Sequence, residues 1–321
     1  MRVVVTGASG FIGSAIVEEL IGHGHEVIGL VRSRQAAEHL KAIGAAAIRG
    51  SVEDTKLLRI AADGADAVVH TAFFHKFSHA GLPARLRIAL GGNPRKAAAR
   101  FMAAAIGADR RAIETFGAAL SGRQGALVIA MPTMTLGPGR LGTEDDGGDP
   151  ESVGGGRVVS EKALLAQAEQ GVRASLVRLP PIVYGQGDRR GLLPSLIRIA
   201  RTRQASAYID KGTNRWPAVH RLDAARLFRM AVEQGNTGAR FHAIAEEGLP
   251  FAQIAEAIGQ QGNLPVRSIG TDQAAAHFGW LGSFAAADNP VSSALTQKRL
   301  GWTAAQPGLL DELKQGYYFT K

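Results

Sequence analysis

Apolar residues along the chain follow two different periods. Short runs at residues 2–6, 26–31, 46–49, 67–70, 126–130, 174–179 and 240–243 are rich in Val, Ile, Leu and Ala and read as buried strands. Residues 13–22, 35–42, 56–62 and 160–170 instead bring apolar positions back once per helical turn, which predicts helices. Strand and helix therefore alternate, as an α/β fold with a parallel sheet requires. After residue 179 the elements shorten and Pro and Trp become more frequent, with helices predicted at 192–203, 221–233, 251–259 and near 307–315. One stretch breaks the pattern. Residues 81–108 carry five basic side chains and no acid, and the Pro and Gly residues of Leu82-Pro83 and Gly91-Gly92-Asn93-Pro94 interrupt what should be one helical crossover.

The first strand runs directly into Thr6-Gly7-Ala8-Ser9-Gly10-Phe11-Ile12-Gly13, a glycine triplet that opens the first helix. Glycine permits a tight turn at the first position, close backbone approach to a pyrophosphate at the second and close helix-on-strand packing at the third. Free N–H groups at the helix start then face the phosphate charge. The triplet follows an apolar strand and precedes a second one, so it predicts a Rossmann-type dinucleotide site with Gly7, Ser9, Gly10, Phe11, Ile12 and Gly13 along the cofactor.

The end of the second strand reads Leu30-Val31-Arg32-Ser33-Arg34. An Asp or Glu placed there would hold the ribose hydroxyls of NAD and repel a 2′-phosphate. This chain has no such carboxylate, and Arg32 offers a planar, charge-assisted contact to a phosphate, with Ser9 as an added donor. The expected cofactor is NADP(H), ahead of NAD(H).

Composition narrows the remaining classes. At 321 residues the chain suits one nucleotide domain with a smaller appended region: residues 1–183 and 219–245 as the first, 184–218 and 246–321 as the second. Cysteine is absent, which excludes disulfides, thiolate zinc sites and a cysteine nucleophile. The formal charge is +9, but the arginines are dispersed and lack interleaved aromatics, so an anionic cofactor accounts for them and no nucleic-acid partner is expected. Neither a secretory signal nor an apolar run of membrane-spanning length is visible, and a cytoplasmic protein without a membrane partner is expected. His70, His75 and His79 invite a metal reading, but the strand-to-loop change between them does not secure a common face, and no metal is expected.

The glycine loop, Ala67-Val68-Val69-His70-Thr71-Ala72, Leu179-Pro180-Pro181-Ile182-Val183-Tyr184-Gly185, Val219-His220-Arg221-Leu222-Asp223-Ala224-Ala225 and Leu300-Gly301-Trp302 occur in that order. Together they resemble the extended short-chain dehydrogenase/reductases, the NAD-dependent epimerase/dehydratases, and Phe278-Gly279-Trp280 resembles a feature of a divergent, atypical subgroup. The resemblance implies an α/β, Rossmann-type, doubly wound parallel sheet with a smaller C-terminal substrate-binding region. It further implies Thr71, Ala72 and Phe73 beside the cofactor ribose, Val52 near the adenine, and Pro180 to Val183 against the nicotinamide. Relatives pair through helices matching residues 109–120 and 160–170, which implies a homodimer.

The resemblance also implies a catalytic Tyr followed four residues later by Lys, an interval that sets both on one helical face. In Arg157-Val158-Val159-Ser160-Glu161-Lys162 the lysine is present, either as a ribose ligand or as a solvated helix residue, but Val158 holds the tyrosine's position. The family's Ser gives way to Ala130-Met131-Pro132-Thr133, and its helix Asn to Asp109. Thr133 is left to orient a carbonyl, with Tyr184, His75 or water as proton donor. Phe73, Phe74, His75, Asp109, Trp216 and Tyr184 are the expected lining of a pocket for a small-molecule substrate. Three functions stay open: an NADP(H)-dependent carbonyl reductase or alcohol dehydrogenase, a nucleotide-sugar-type epimerase or dehydratase, and a non-catalytic NADP-sensing regulator.

Overall fold

A computed structural model describes residues 1–74, 77–93 and 96–320, and among these the chain forms two compact units. The first holds residues 1–130, 156–177 and 228–239, and the second holds 131–155, 178–227 and 240–321. The sequence reading also kept residues 131–155, 178–183, 219–227 and 240–245 in the nucleotide region. Strands that pass from one unit into the other carry no compositional mark where they do so.

The first unit begins with β1 (Arg2–Thr6), α1 (Phe11–Gly22), β2 (Glu26–Val31), α2 (Arg34–Ala42), β3 (Ala46–Arg49), α3 (Thr55–Ala62) and β4 (Ala67–His70). It continues with α4 (Leu82–Leu90), α5 (Ala97–Leu120), β5 (Ala126–Pro132), α6 (Val158–Glu169) and β6 (Arg173–Leu179). The principal sheet has the order β3-β2-β1-β4-β5-β6 followed by the later strand Arg240–His242. Parallel pairing sets Val4 beside Ile28 on one side and Val68 on the other, and all three are buried. Helices on both faces explain why these strands are continuously apolar rather than alternating.

Two helices start two residues earlier than periodicity indicates. Helix α1 opens at Phe11 because Gly10 is extended (φ −80°, ψ 169°) and its carbonyl accepts the Ser14 N–H at 2.9 Å. Helix α6 opens at Val158, so the valine in the tyrosine's position is itself helical. The 81–108 crossover is two helices, α4 and α5, and the chain turns between them at Gly91-Gly92, where Gly92 has φ +100°.

The second unit contains β7 (Ile182–Tyr184), α7 (Leu192–Arg203), β8 (Ser206–Ile209), β9 (Arg215–His220), the start of α8 (Arg221–Gln234), β10 (Arg240–His242) and β11 (Glu246–Pro250). After these come α9 (Phe251–Gly262), β12 (Val266–Ile269), α10 (Ala274–Phe278), α11 (Gly282–Ala286), α12 (Ala294–Leu300) and α13 (Leu309–Lys314). Its core gathers Leu193, Ile197, Trp216, Phe251, Ile254 and Phe278. Asp223 ties two distant motifs together: its backbone carbonyl accepts Trp302 Nε1–H at 3.0 Å, and its carboxylate accepts the N–H groups of Ala305 and Gln306 at 2.9 and 3.0 Å. No helix among the described residues is long and apolar enough to cross a membrane.

Candidate active site

The glycine loop is shaped by contacts that no side chain could share. A Cβ on Gly13 would lie 2.1 Å from the Gly7 carbonyl oxygen, and Gly7 itself has φ +70° with Thr71 Oγ1 2.9 Å from where its Cβ would be. The turn is closed by Gly10 N–H donating to Gly7 O at 2.8 Å. Ser9 and Gly10 are exposed, Phe11 and Ile12 half-buried and Gly13 buried, and α1 has no acid in its first turn. This cradle suits the pyrophosphate of a dinucleotide, since backbone donors and the helix dipole both favour the anion.

Behind the cradle, Thr71 Oγ1 donates to Thr6 O at 2.7 Å and Ala72 N–H donates to Thr6 Oγ1 at 3.2 Å, which fixes the Thr71–Phe73 segment against the end of β1. Val52 is buried. Arg32 is exposed past the end of β2 and forms no ion pair or hydrogen bond among the described residues, while Ser33 caps α2 by accepting Ala36 N–H at 3.1 Å and Arg34 pairs with Glu38 at 2.8 Å. Of the three polar residues there, Arg32 alone has no hydrogen-bonding or ionic partner among the described residues. Lys162 is exposed one turn along α6 from the buried Val158.

Beneath the Thr71–Phe73 segment runs a buried polar chain. Thr6 Oγ1 and His70 Nδ1 are 2.7 Å apart, and His70 Nε2 lies 3.2 Å from Asp109 Oδ1. Thr6 Oγ1 also accepts from Ala72 N–H, while His70 Nε2 and Asp109 Oδ1, though close, form no hydrogen bond among the described residues. The other carboxylate oxygen accepts Arg157 Nη2–H at 2.9 Å and the Ser160 hydroxyl. Burial pushes the Asp109 pKa up, but the Arg157 charge, His70 and the Ser160 hydrogen bond outweigh it and hold the group well below the usual carboxylate range. Asp109 is 2% exposed and so is a buried counter-ion rather than pocket lining. His70 Nδ1 pairs with Thr6 and Nε2 faces Asp109, and among the described residues no cluster of three or more His, Asp or Glu could hold a metal.

The second unit places the other sequence candidates differently. Thr133 is fully buried and its hydroxyl donates to Asn289 Oδ1 at 2.7 Å, while Asn289 Nδ2–H returns a bond to Thr133 O at 3.2 Å. Its proton is thus not offered to a carbonyl. Tyr184 is likewise buried and donates to Pro307 O at 2.7 Å, and burial, with the charges of Glu246, Asp223 and Glu312, pushes its pKa far up. A phenol so placed is a poor acid. Trp216, expected in the pocket wall, is a core residue edge-on to Phe251 at 5.0 Å. Pro180 is buried and Val183 half-buried. Phe74 is buried in the first unit, and His75 lies outside the described residues.

Sequence reasoning gave no role to Arg157, Ser160 or Asn289. A signal for the first was available: an Asp where the family has Asn needs a cation once buried, and Arg157 precedes the altered Tyr position.

The model of the NAD dependent epimerase/dehydratase family matches residues 3–84, the stretch that holds the glycine loop and the end of β4. Over its full length the chain is similar to an uncharacterized protein of Schizosaccharomyces pombe, 42% identical over 320 residues, covering 99% of this chain and 100% of the relative. The chain belongs to the NAD-dependent epimerase/dehydratase family. A second such relative, an uncharacterized protein of Saccharomyces cerevisiae, is 40% identical over 319 residues, 99% of each chain. Among solved structures, DesIV, a dTDP-glucose 4,6-dehydratase of Streptomyces venezuelae with NAD bound, matches with a TM-score of 0.75 at 19% identity, over 99% of this chain and 97% of that one. That likeness shows that the two chains share a fold. Val158, Thr133 and Asp109 stand at the positions where the resemblance implies Tyr, Ser and Asn.

Proposed function

We propose that the protein is an NADP(H)-dependent oxidoreductase of the carbonyl reductase or alcohol dehydrogenase type, acting on a small to medium organic molecule. Arg32 carries the cofactor part of this reading: it is an exposed guanidinium with unused donors at the ribose end of β2, where no carboxylate stands. The cradle of Gly7, Gly10 and Gly13 holds the pyrophosphate, Thr71 to Phe73 pass beside the ribose, Val52 packs near the adenine, and Lys162 reaches the ribose hydroxyls.

Replacing Arg32 with Asp exchanges a charge-assisted contact for repulsion. It should weaken NADPH at least tenfold relative to NADH, since such a hydrogen bond contributes about 1.5–3 kcal/mol. Fluorescence titration with both cofactors measures the ratio, and an unchanged preference refutes the assignment. The missing tyrosine favours one second reading, a regulator that binds NADP without turning anything over. Wild-type protein that binds NADPH tightly yet oxidises it with no member of a broad ketone and aldehyde panel would establish that alternative.

A further inference from the structure

Two of the altered positions, Val158 and Asp109, meet at one side chain. Arg157 sits immediately before Val158, and three features immobilise its guanidinium: the ion pair of Nη2 with Asp109 at 2.9 Å, the Phe73 ring 4.4 Å beneath Cζ, and the buried setting that leaves the side chain 15% exposed. Yet its hydrogen-bonding capacity is far from used. Nε is buried with no partner, and Nη1 forms no hydrogen bond among the described residues. Buried donors left unpaired are costly and uncommon in native proteins. A guanidinium clamped on one edge, stacked on one face and open on another is the arrangement that receives a planar oxygen ligand.

We infer that Arg157 binds the oxygen of the substrate's carbonyl group and stabilises the negative charge that forms on it, in place of the hydroxyl lost at Val158. The inference rests on the reductase reading above. Phe73, which stacks on it, belongs to the segment assigned to the cofactor ribose, so the cation stands near where a carbonyl must lie to be reduced. Reduced nicotinamide, when bound, supplies a hydride to the carbonyl carbon. The π pair of the C=O bond moves onto oxygen, Arg157 holds the resulting alkoxide, and water delivers the proton to give alcohol and hydroxide. Arg157 stays protonated throughout, because a guanidinium is too weak an acid to give up its proton. Asp109 is a positioning residue: it is buried at 2% exposure, fixes Nη2, and is itself held by Ser160 and His70. The two departures from the family, Asn to Asp and Tyr to Val, are then one exchange of a neutral donor pair for a fixed cation and its counter-ion.

The test compares wild type with Arg157→Lys and Arg157→Met in three measurements. These are NADPH affinity by fluorescence, acetate binding by calorimetry in the presence of NADP+ as a probe of the oxygen site, and NADPH oxidation over the carbonyl panel. The lysine variant keeps a counter-charge for Asp109 and decides the matter if the methionine variant does not fold. NADPH affinity should change less than threefold, acetate should bind at least tenfold more weakly, and kcat should fall about 100-fold with a smaller change in KM, the usual effect of losing one oxyanion donor. Added guanidinium should restore part of the kcat of the methionine variant, which a merely structural role would not allow. Acetate binding that is absent from wild type, or kcat and acetate affinity unchanged in the variants, overturns the inference. If acetate binds in an Arg157-dependent way but wild type reduces no carbonyl, the reductase reading fails and the oxygen-binding role stands.

Discussion

The sharpest consequence of the glycine cradle concerns Gly13→Ala. The added Cβ would stand 2.1 Å from the Gly7 carbonyl oxygen, 2.8 Å from its carbon and 3.3 Å from Ala8 Cα, all backbone atoms that no rotamer change can move. Restoring ordinary contact requires the Gly7 peptide to retreat by about 1 Å in a close-packed interior. That movement disrupts the 2.8 Å bond from Gly10 N–H to Gly7 O and displaces the start of α1, where the phosphate-binding N–H groups stand. Folding is only mildly affected. Overpacking costs about 1–3 kcal/mol, and the better helix propensity of Ala over Gly offsets about 1 kcal/mol of it, leaving a net loss of about 0–2 kcal/mol. Binding suffers more, since misplacing two charge-assisted hydrogen bonds at about 1.5–3 kcal/mol each lowers affinity by at least about 100-fold. Urea unfolding of the free protein and fluorescence titration with NADPH separate the two effects. A variant that folds and binds NADPH within threefold of wild type would refute the assignment of this loop to the pyrophosphate.

Two further predictions follow from the polar interior. Asp109 has a folded pKa below its unfolded value of about 3.9, so the stability it contributes is full above about pH 5 and is lost as pH falls through the unfolded value toward the folded one. Asp109→Asn leaves the Arg157 cation without its counter-charge, costing about 3 kcal/mol near neutrality, and flattens the acid limb by about one proton; urea unfolding from pH 3 to 7 checks this, and an unchanged acid slope counts against it. Tyr184→Phe removes the bond to Pro307 O and the contact with Glu246, so it should cost about 1 kcal/mol of stability and leave kcat within twofold of wild type in the NADPH-oxidation assay. A hundredfold fall in kcat would restore Tyr184 as a proton donor.

The sequence by itself determined the fold class and the cofactor loop, because both rest on local rules. Strand and helix periods are set by backbone geometry within each segment, and the Gly7, Gly10 and Gly13 spacing encodes a strand–turn–helix in which Gly10 and Gly13 both pack on the Gly7 carbonyl. The availability of Arg32 also follows from its neighbourhood, since Ser33 caps the next helix and Arg34 pairs one turn on with Glu38. What chemistry the side chains can perform was decided by tertiary structure alone. Thr133 and Tyr184 look like free hydroxyls in the sequence, but partners 156 and 123 residues away take up their protons. Trp216 reads as a pocket wall until Phe251 closes over it. Asp109 and Arg157, 48 residues apart, acquire meaning only when α5 and α6 pack side by side and bury the carboxylate, because a charge removed from water must find its partner in space.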